Sequence, residues 1–145
     1  MRIAVCLLLL ATIVLPACSR QAAIRWAPSS AYKLSIADNP AAHRFDVRLG
    51  SSTSDDLCIS VQSWPTSPKL PLGFDGAIVK AGAEEHQLVG TGSMYCPGGC
   101  GHIRIAPGGS VDGSIPYDAF EDPKSIEVDS HRQLIFSVHP TVCAR

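Results

Sequence analysis

Arg44-Phe45-Asp46-Val47-Arg48-Leu49 alternates three large apolar side chains with three charged ones, one residue at a time. A period of two sets Phe45, Val47 and Leu49 on one face of an extended chain and Arg44, Asp46 and Arg48 on the other, the pattern of a half-buried β-strand. A helix would scatter the same residues around its circumference. The period recurs on both sides of this stretch. Upstream, Tyr32, Leu34 and Ile36 alternate with polar or small residues until Asp38-Asn39-Pro40 turns the chain. Downstream, a polar turn over residues 50–56 leads into Leu57, Ile59 and Val61, with Cys58 and Gln62 on the opposite face.

The middle of the chain is rich in loops. Trp64-Pro65-Thr66-Ser67-Pro68-Lys69-Leu70-Pro71 holds three prolines, which remove ladder donors and predict an exposed connection with an apolar lining. Short strands are expected over residues 77–80 and 86–89, joined by an acidic turn at Glu84 and Glu85. Residues 90–101 contain five glycines and the segment Cys96-Pro97-Gly98-Gly99-Cys100. Ile103 and Ile105 restore the alternation, and Ala106-Pro107-Gly108-Gly109 has the Pro and Gly placement of a type II turn. Val111, Gly113, Ile115, Tyr117 and Ala119 then share a face, with Pro116 marking a sheet edge or a bulge. A short strand is expected over 125–129, and a last one through Leu134, Phe136 and Val138 toward Cys143.

Seven to nine short strands separated by turn signals predict an all-β domain over residues 31–145, an antiparallel β-sandwich, with a small β-barrel as the alternative. The Pro-Gly hairpin between Ile105 and Ile115 resembles one found late in bacterial immunoglobulin-like domains, and this implies an immunoglobulin-like sandwich.

The N-terminal stretch has a different character. Arg2 is followed by an uncharged apolar run over residues 3–15, the positive start and greasy middle of a secretory signal, and at 13 residues shorter than the roughly 20 a bilayer-spanning helix needs. The run closes on Leu15-Pro16-Ala17-Cys18, which resembles the lipobox of bacterial lipoproteins: an aliphatic residue, a variable residue, Ala or Gly, and then the cysteine that is lipidated. The resemblance implies a signal peptide over 1–17, a lipid anchor on Cys18, and a place in the bacterial cell envelope at the outer membrane, facing the periplasm. Residues 18–30, polar and alanine-rich with Trp26 as the one bulky side chain, read as a tether. The alternative is plain secretion, because Ala17-Cys18-Ser19 also offers the small residues that soluble release requires.

Removal of residues 1–17 leaves 145 − 17 = 128 residues, enough for one core. Losing Arg2 takes the 12 basic residues to 11 against 13 acidic ones, a formal charge of −2 that gives no basic surplus for nucleic acid. Cys6 leaves with the signal and Cys18 takes the lipid, so Cys58, Cys96, Cys100 and Cys143 remain. An even count in an exported domain predicts two disulfides, and three pairings are open. Placing the last strand parallel to the strand at residues 45–49 gathers the four sulfurs at one pole and favours Cys58 with Cys143 and Cys96 with Cys100.

The competing chemistry is a zinc site on Cys96-x-x-x-Cys100-x-His102, completed by Cys58, Cys143 or His86. Its ligands suit zinc, but the spacing is not the CxxC knuckle, and a thioredoxin-like role fails on the same spacing. Ser93 and Ser110 lack the GxSxG frame, and both read as turn residues. His43, His102 and His139 fall on wet faces. Asp55-Asp56, Glu84-Glu85 and Glu121-Asp122 are adjacent pairs whose side chains point apart on extended chain, and the EF-hand order for calcium is absent. These readings point to a non-enzymatic envelope lipoprotein with no cofactor, a binding or structural module with the membrane and an envelope protein as partners. Its candidate contact surface is the proline-rich loop with Trp64, Leu70, Leu72 and Phe74, together with Tyr95; the equally weighted alternative places Trp64 and Phe74 in the core. Two other functions stay open: an envelope metal-binding or enzymatic domain on the Cys96 to His102 loop, and a secreted inhibitor-like protein.

Overall fold

The computed structural model describes residues 24–66, 69–90, 92, 96–97 and 99–144. The described residues form nine strands, one short α-helix and four single-turn 3-10 helices, the strands and α-helix being β1 (Tyr32–Asn39), β2 (Arg44–Ser51), β3 (Leu57–Ser60), β4 (Ala77–Ala81), β5 (Glu84–Gln87), β6 (His102–Ile105), β7 (Ser110–Pro116), α1 (Pro123–Val128), β8 (Gln133–Phe136) and β9 (Thr141–Val142). They assemble as three antiparallel three-stranded sheets in the orders β1-β2-β7, β6-β3-β9 and β5-β4-β8. The fold is an all-β, sandwich-like arrangement, and no closed barrel forms among the described residues.

The alternation in β2 organises the core as its sequence dictates. Phe45, Val47 and Leu49 are buried, whereas Arg48 is exposed and Arg44 and Asp46 are half-buried. Phe45 pairs with Ile115 across β7, and Leu49 with Leu34 across β1, so one apolar face passes through three strands. Leu57 and Ile59 of β3, Val79 of β4, and Leu134 and Phe136 of β8 close onto it in one continuous apolar cluster. The Ala106-Pro107-Gly108-Gly109 turn forms as expected. The Gly109 N–H donates to the Ala106 carbonyl at 2.8 Å, and Gly108 takes the positive φ of +68° that this turn demands.

Trp64 and Phe74 do not form a contact surface. Trp64 is fully buried and Phe74 nearly so, and both rings stand against Phe136, at 6.0 and 5.8 Å between centroids. The indole N–H donates to the Asp112 carbonyl at 3.2 Å, which satisfies its polar edge inside the core. Trp64, Pro65 and Phe74 therefore lid the core. Leu72 stays exposed, Leu70 is half-buried, and Tyr95 lies outside the described residues.

This lid explains Gly113. Where Trp64 and Pro65 cross β7, the Ser114 N–H donates to the Pro65 carbonyl at 3.1 Å. A Cβ on residue 113 would collide with that carbonyl oxygen and lie 3.0 Å from Trp64 Nε1. Gly113→Ala is expected to destabilise the fold by about 1–3 kcal/mol, the range for forced overpacking, measurable by urea unfolding. Gly50→Ala has open space around its Cβ and serves as the control.

Four expectations are corrected. Residues 125–129 are not a strand, because α1 starts at Pro123, whose fixed φ suits the first helical turn, and runs to Val128. Glu84 and Glu85 are not a turn but begin β5. The hairpin turn is Gly82-Ala83, with Gly82 at φ +59°, and Glu85 pairs with Lys80 at 3.1 Å. The strand carrying Leu134 and Phe136 does not run parallel beside β2; β8 pairs antiparallel with β4. The four sulfurs are not at one pole. Cys58 and Cys143 sit at the start of β3, whereas Cys100 precedes β6 and so abuts the opposite end, where the Val61 N–H donates to the Gly101 carbonyl.

Candidate functional site

The described residues hold one broad concave surface built by design of register, the outer face of the β6-β3-β9 sheet. Arg104 stands opposite Cys58, and Cys58 opposite Thr141, so three strands present one row. The chain entering the domain adds a fourth member. Trp26 bridges antiparallel to Thr141, with the Ala27 N–H donating to the Pro140 carbonyl at 2.9 Å and the Val142 N–H to the Arg25 carbonyl at 2.8 Å. Residues 25–27, expected in the tether, are instead joined to β9 by this isolated bridge.

Two depressions, of about 940 and 410 Å³, flank this row and share Ile24, Cys58, His102 and Thr141 on their walls. The larger is walled by charges of both signs. Arg25 reaches Asp55 at 3.2 Å and Arg104 reaches Asp56 at 3.2 Å. The two neighbouring carboxylates do point apart, each to a different arginine. His102 is exposed, and His139, Asp75 and Trp26 line the smaller depression. These ion pairs are solvent-exposed and contribute little to stability, about 0–1 kcal/mol each, so their role is to set the pattern of charge that a ligand meets.

The Cys58–Cys143 disulfide forms the floor of this surface, and Cys96–Cys100 closes the glycine-rich loop before β6. Both pairings agree with the favoured one, reached here by antiparallel pairing of β9 with β3 rather than by a parallel last strand. The sulfurs of Cys96 and Cys100 are bonded to each other and are not thiolate ligands. Among the described residues no group of three or more His, Cys, Asp and Glu is placed to hold a metal ion. Cys18 lies outside the described residues, as does Ser93. Ser110 opens β7, where its hydroxyl accepts from Arg48 at 2.8 Å. His43 is exposed and 3.2 Å from Glu127, His131 is exposed, and His86 is buried on β5 with Nε2 lacking a hydrogen-bond partner among the described residues.

A second cluster of titratable groups is internal. The Tyr117 hydroxyl donates to Asp38, while Arg132 donates from Nε to the Tyr117 oxygen at 2.9 Å and lies 3.0 Å from the second Asp38 oxygen. Burial, with the hydrogen bond to Asp38 and its charge adding to it, pushes the Tyr117 hydroxyl up to about 12; Arg132 acts in the opposite sense. Near pH 10 the unfolded chain gives up this proton first, so stability is lost as pH rises from about 10 toward about 12 and is fully present below. Tyr117→Phe is expected to remove that alkaline slope in urea titrations over the same range. No depression opens on this cluster among those lined by the residues above, and its chemistry is that of a structural tie.

No protein family model matches the chain, and no curated protein matches its sequence. Arg25, Arg104 and Thr141 escaped the sequence reading as site residues, and Asp55 and Asp56 were read only as a pair pointing apart, because the partner of Asp55 lies 30 residues away and only the sheet register brings the groups together.

Proposed function

We propose that the protein is a non-enzymatic lipoprotein of the bacterial envelope, anchored by acylation of Cys18, whose folded domain binds a partner along the outer face of the β6-β3-β9 sheet. The observation that carries this reading is the union of the entering chain with that face. Residues 25–27 are joined to β9 of that sheet, so whatever holds the N-terminal region also holds the groove. Arginines and carboxylates already paired across the walls suit recognition of an extended ligand bearing both charges, because exchanging one ion pair for another leaves no buried charge uncompensated. The fit to an envelope module comes from the lipobox-like Leu15-Pro16-Ala17-Cys18 and from two disulfides, which persist in an oxidising compartment.

Intact-mass measurement of the mature protein from membranes tests the anchor. The expected species begins at Cys18, carries acyl mass and shows no reactive thiol before reduction, since the other four cysteines are paired. Cys18→Ala is expected to leave the membrane fraction unacylated. A mature species without acyl mass, released after Ser19 with no free thiol or after Ala17 with one, overturns the reading. For the groove, a photo-crosslinking residue at His102 is expected to capture a partner in native envelopes that one at Ile135, on β8, does not.

A further inference from the structure

We infer that the edge segment at residues 24–27 beds the domain onto a phospholipid bilayer, with Ile24 and Trp26 entering the headgroup layer. This rests on the reading of Cys18 as the acylated anchor. Ile24 and Trp26 are 71 and 62% exposed although the backbone between and after them is held by hydrogen bonds to Pro140 and Val142. Their exposure therefore belongs to a segment whose backbone is fixed against β9. Residues at alternate positions of an extended chain project to the same side, so the two side chains form one apolar edge. Among the described residues the other large exposed apolar side chains, Ile36, Leu72, Val89, Val128 and Ile135, are scattered over separate elements.

Chain length supplies the occupant. Six peptide steps separate Cys18 from Ile24, a reach of at most about 22 Å at 3.6 Å per residue. An acylated Cys18 sits at the bilayer surface, so Ile24 and Trp26 are confined within a short distance of the headgroups at high effective concentration. The tether has already restricted translation, and little further ordering is needed because the segment is pinned. An indole with an adjacent aliphatic side chain is the pair the membrane interface accepts, apolar body inward and N–H toward water. The charges beside them present no barrier, because Arg25 is paired with Asp55 and Arg104 with Asp56. Insertion by apolar contact rather than by a basic patch also implies binding that added salt does not release. The groove then opens at the bilayer surface, and its ligand approaches from there.

The sequence has two tryptophans, and Trp64 is fully buried, so Trp26 reports on this edge. The acylated full-length mature protein is placed in phosphatidylethanolamine–phosphatidylglycerol vesicles with or without lipids brominated near the top of the acyl chain. The expected result is loss of about half or more of the emission that the Trp26→Phe variant lacks, insensitive to salt and reduced in Ile24→Ser. Unchanged Trp26 emission in protein whose acylation is verified by mass overturns the inference and leaves the anchor standing. Shielding of Trp26 only when native envelope proteins are added assigns the edge to a protein partner and overturns it as well. Absence of acyl mass overturns the anchor reading and the inference together.

Discussion

Replacement of both Cys58 and Cys143 by Ala is expected to cost about 4–5 kcal/mol, because the bond closes a loop of 85 residues and the chain-entropy cost of leaving it open grows with the logarithm of that length. Domains of this size hold about 5–15 kcal/mol in total, so the variant is expected to be marginal, with a melting temperature lower by about 15 °C. The same argument gives about 2 kcal/mol or less for Cys96 and Cys100, which are four residues apart. Comparison of the two double variants by thermal unfolding, with the unreduced protein as reference, separates loop length from a generic effect of losing sulfur. Near-equal losses would contradict the entropic account.

The consequence for the groove is local as well as global. β9 has two residues, Thr141 and Val142, and its ties to β3 are few: the pairing at Leu57 and Cys58, the Thr141 hydroxyl on the Cys58 carbonyl at 3.3 Å, the Cys143 N–H on the Asp56 carbonyl, and the disulfide. The backbone of the entering segment is paired to β9 and its flanks, and its other ties are the exposed Arg25–Asp55 ion pair and the packing of Ala27 on the core. Without the disulfide, β9 and residues 25–27 are expected to exchange backbone hydrogens early, ahead of β2, whose eight residues are flanked on both sides.

What could be read in advance follows from how local each signal is. The alternation of Phe45, Val47 and Leu49 reports burial residue by residue, and the Pro107-Gly108 turn reports backbone geometry within four residues, so strands and turns were legible. So was the parity of the four cysteines. The destination of each strand was not, because β8 finds β4 and β9 finds β3 through packing across the whole chain. Trp64 was ambiguous for the same reason: prolines around it predict an exposed loop, and only the glycine gap at position 113 lets that loop settle with its indole inward. The groove was the least legible feature, since Arg25, Asp55, Asp56 and Arg104 are each ordinary surface residues until the register of β3 and β6 and the pairing at Trp26 collect them.

Arg132 carries the other large expected effect, and it accounts for the misread segment over residues 125–129. Ser125-Ile126-Glu127-Val128-Asp129 alternates like a strand, and a helix of six residues is far too short to persist alone. Its last carbonyls lack partners within the helix. Arg132 supplies them: one terminal nitrogen lies 3.2 Å from the Ile126 carbonyl oxygen, 3.1 Å from that of Glu127 and 2.8 Å from that of Asp129. The other terminal nitrogen holds Asp38 of β1, Nε meets the Tyr117 hydroxyl, and the guanidinium carbon lies 4.8 Å from the Tyr117 ring centre. A side chain 6% exposed thus ties the helix to the first sheet through a planar fork of donors. Arg132→Met keeps the aliphatic stem and removes the fork, leaving Asp38 without its cation and three carbonyls without donors. A loss of about 1–3 kcal/mol is expected, because Arg132 is buried but water reaches the partly exposed Asp38 carboxylate and the Glu127 carbonyl once the fork is gone. Arg132→Lys is expected to restore less than half of it, because one ammonium cannot serve Asp38, Tyr117 and the helix end together. Asp38→Asn in the Met background is expected to cost little more, since the charge left stranded is then gone. Urea unfolding of these proteins together with the Asp38→Asn single variant closes the cycle and measures the coupling. If Arg132→Met lost less than about 1 kcal/mol, α1 would have to be held by the burial of Ile126 alone, and the tie would be a by-product of the fold rather than a cause of it.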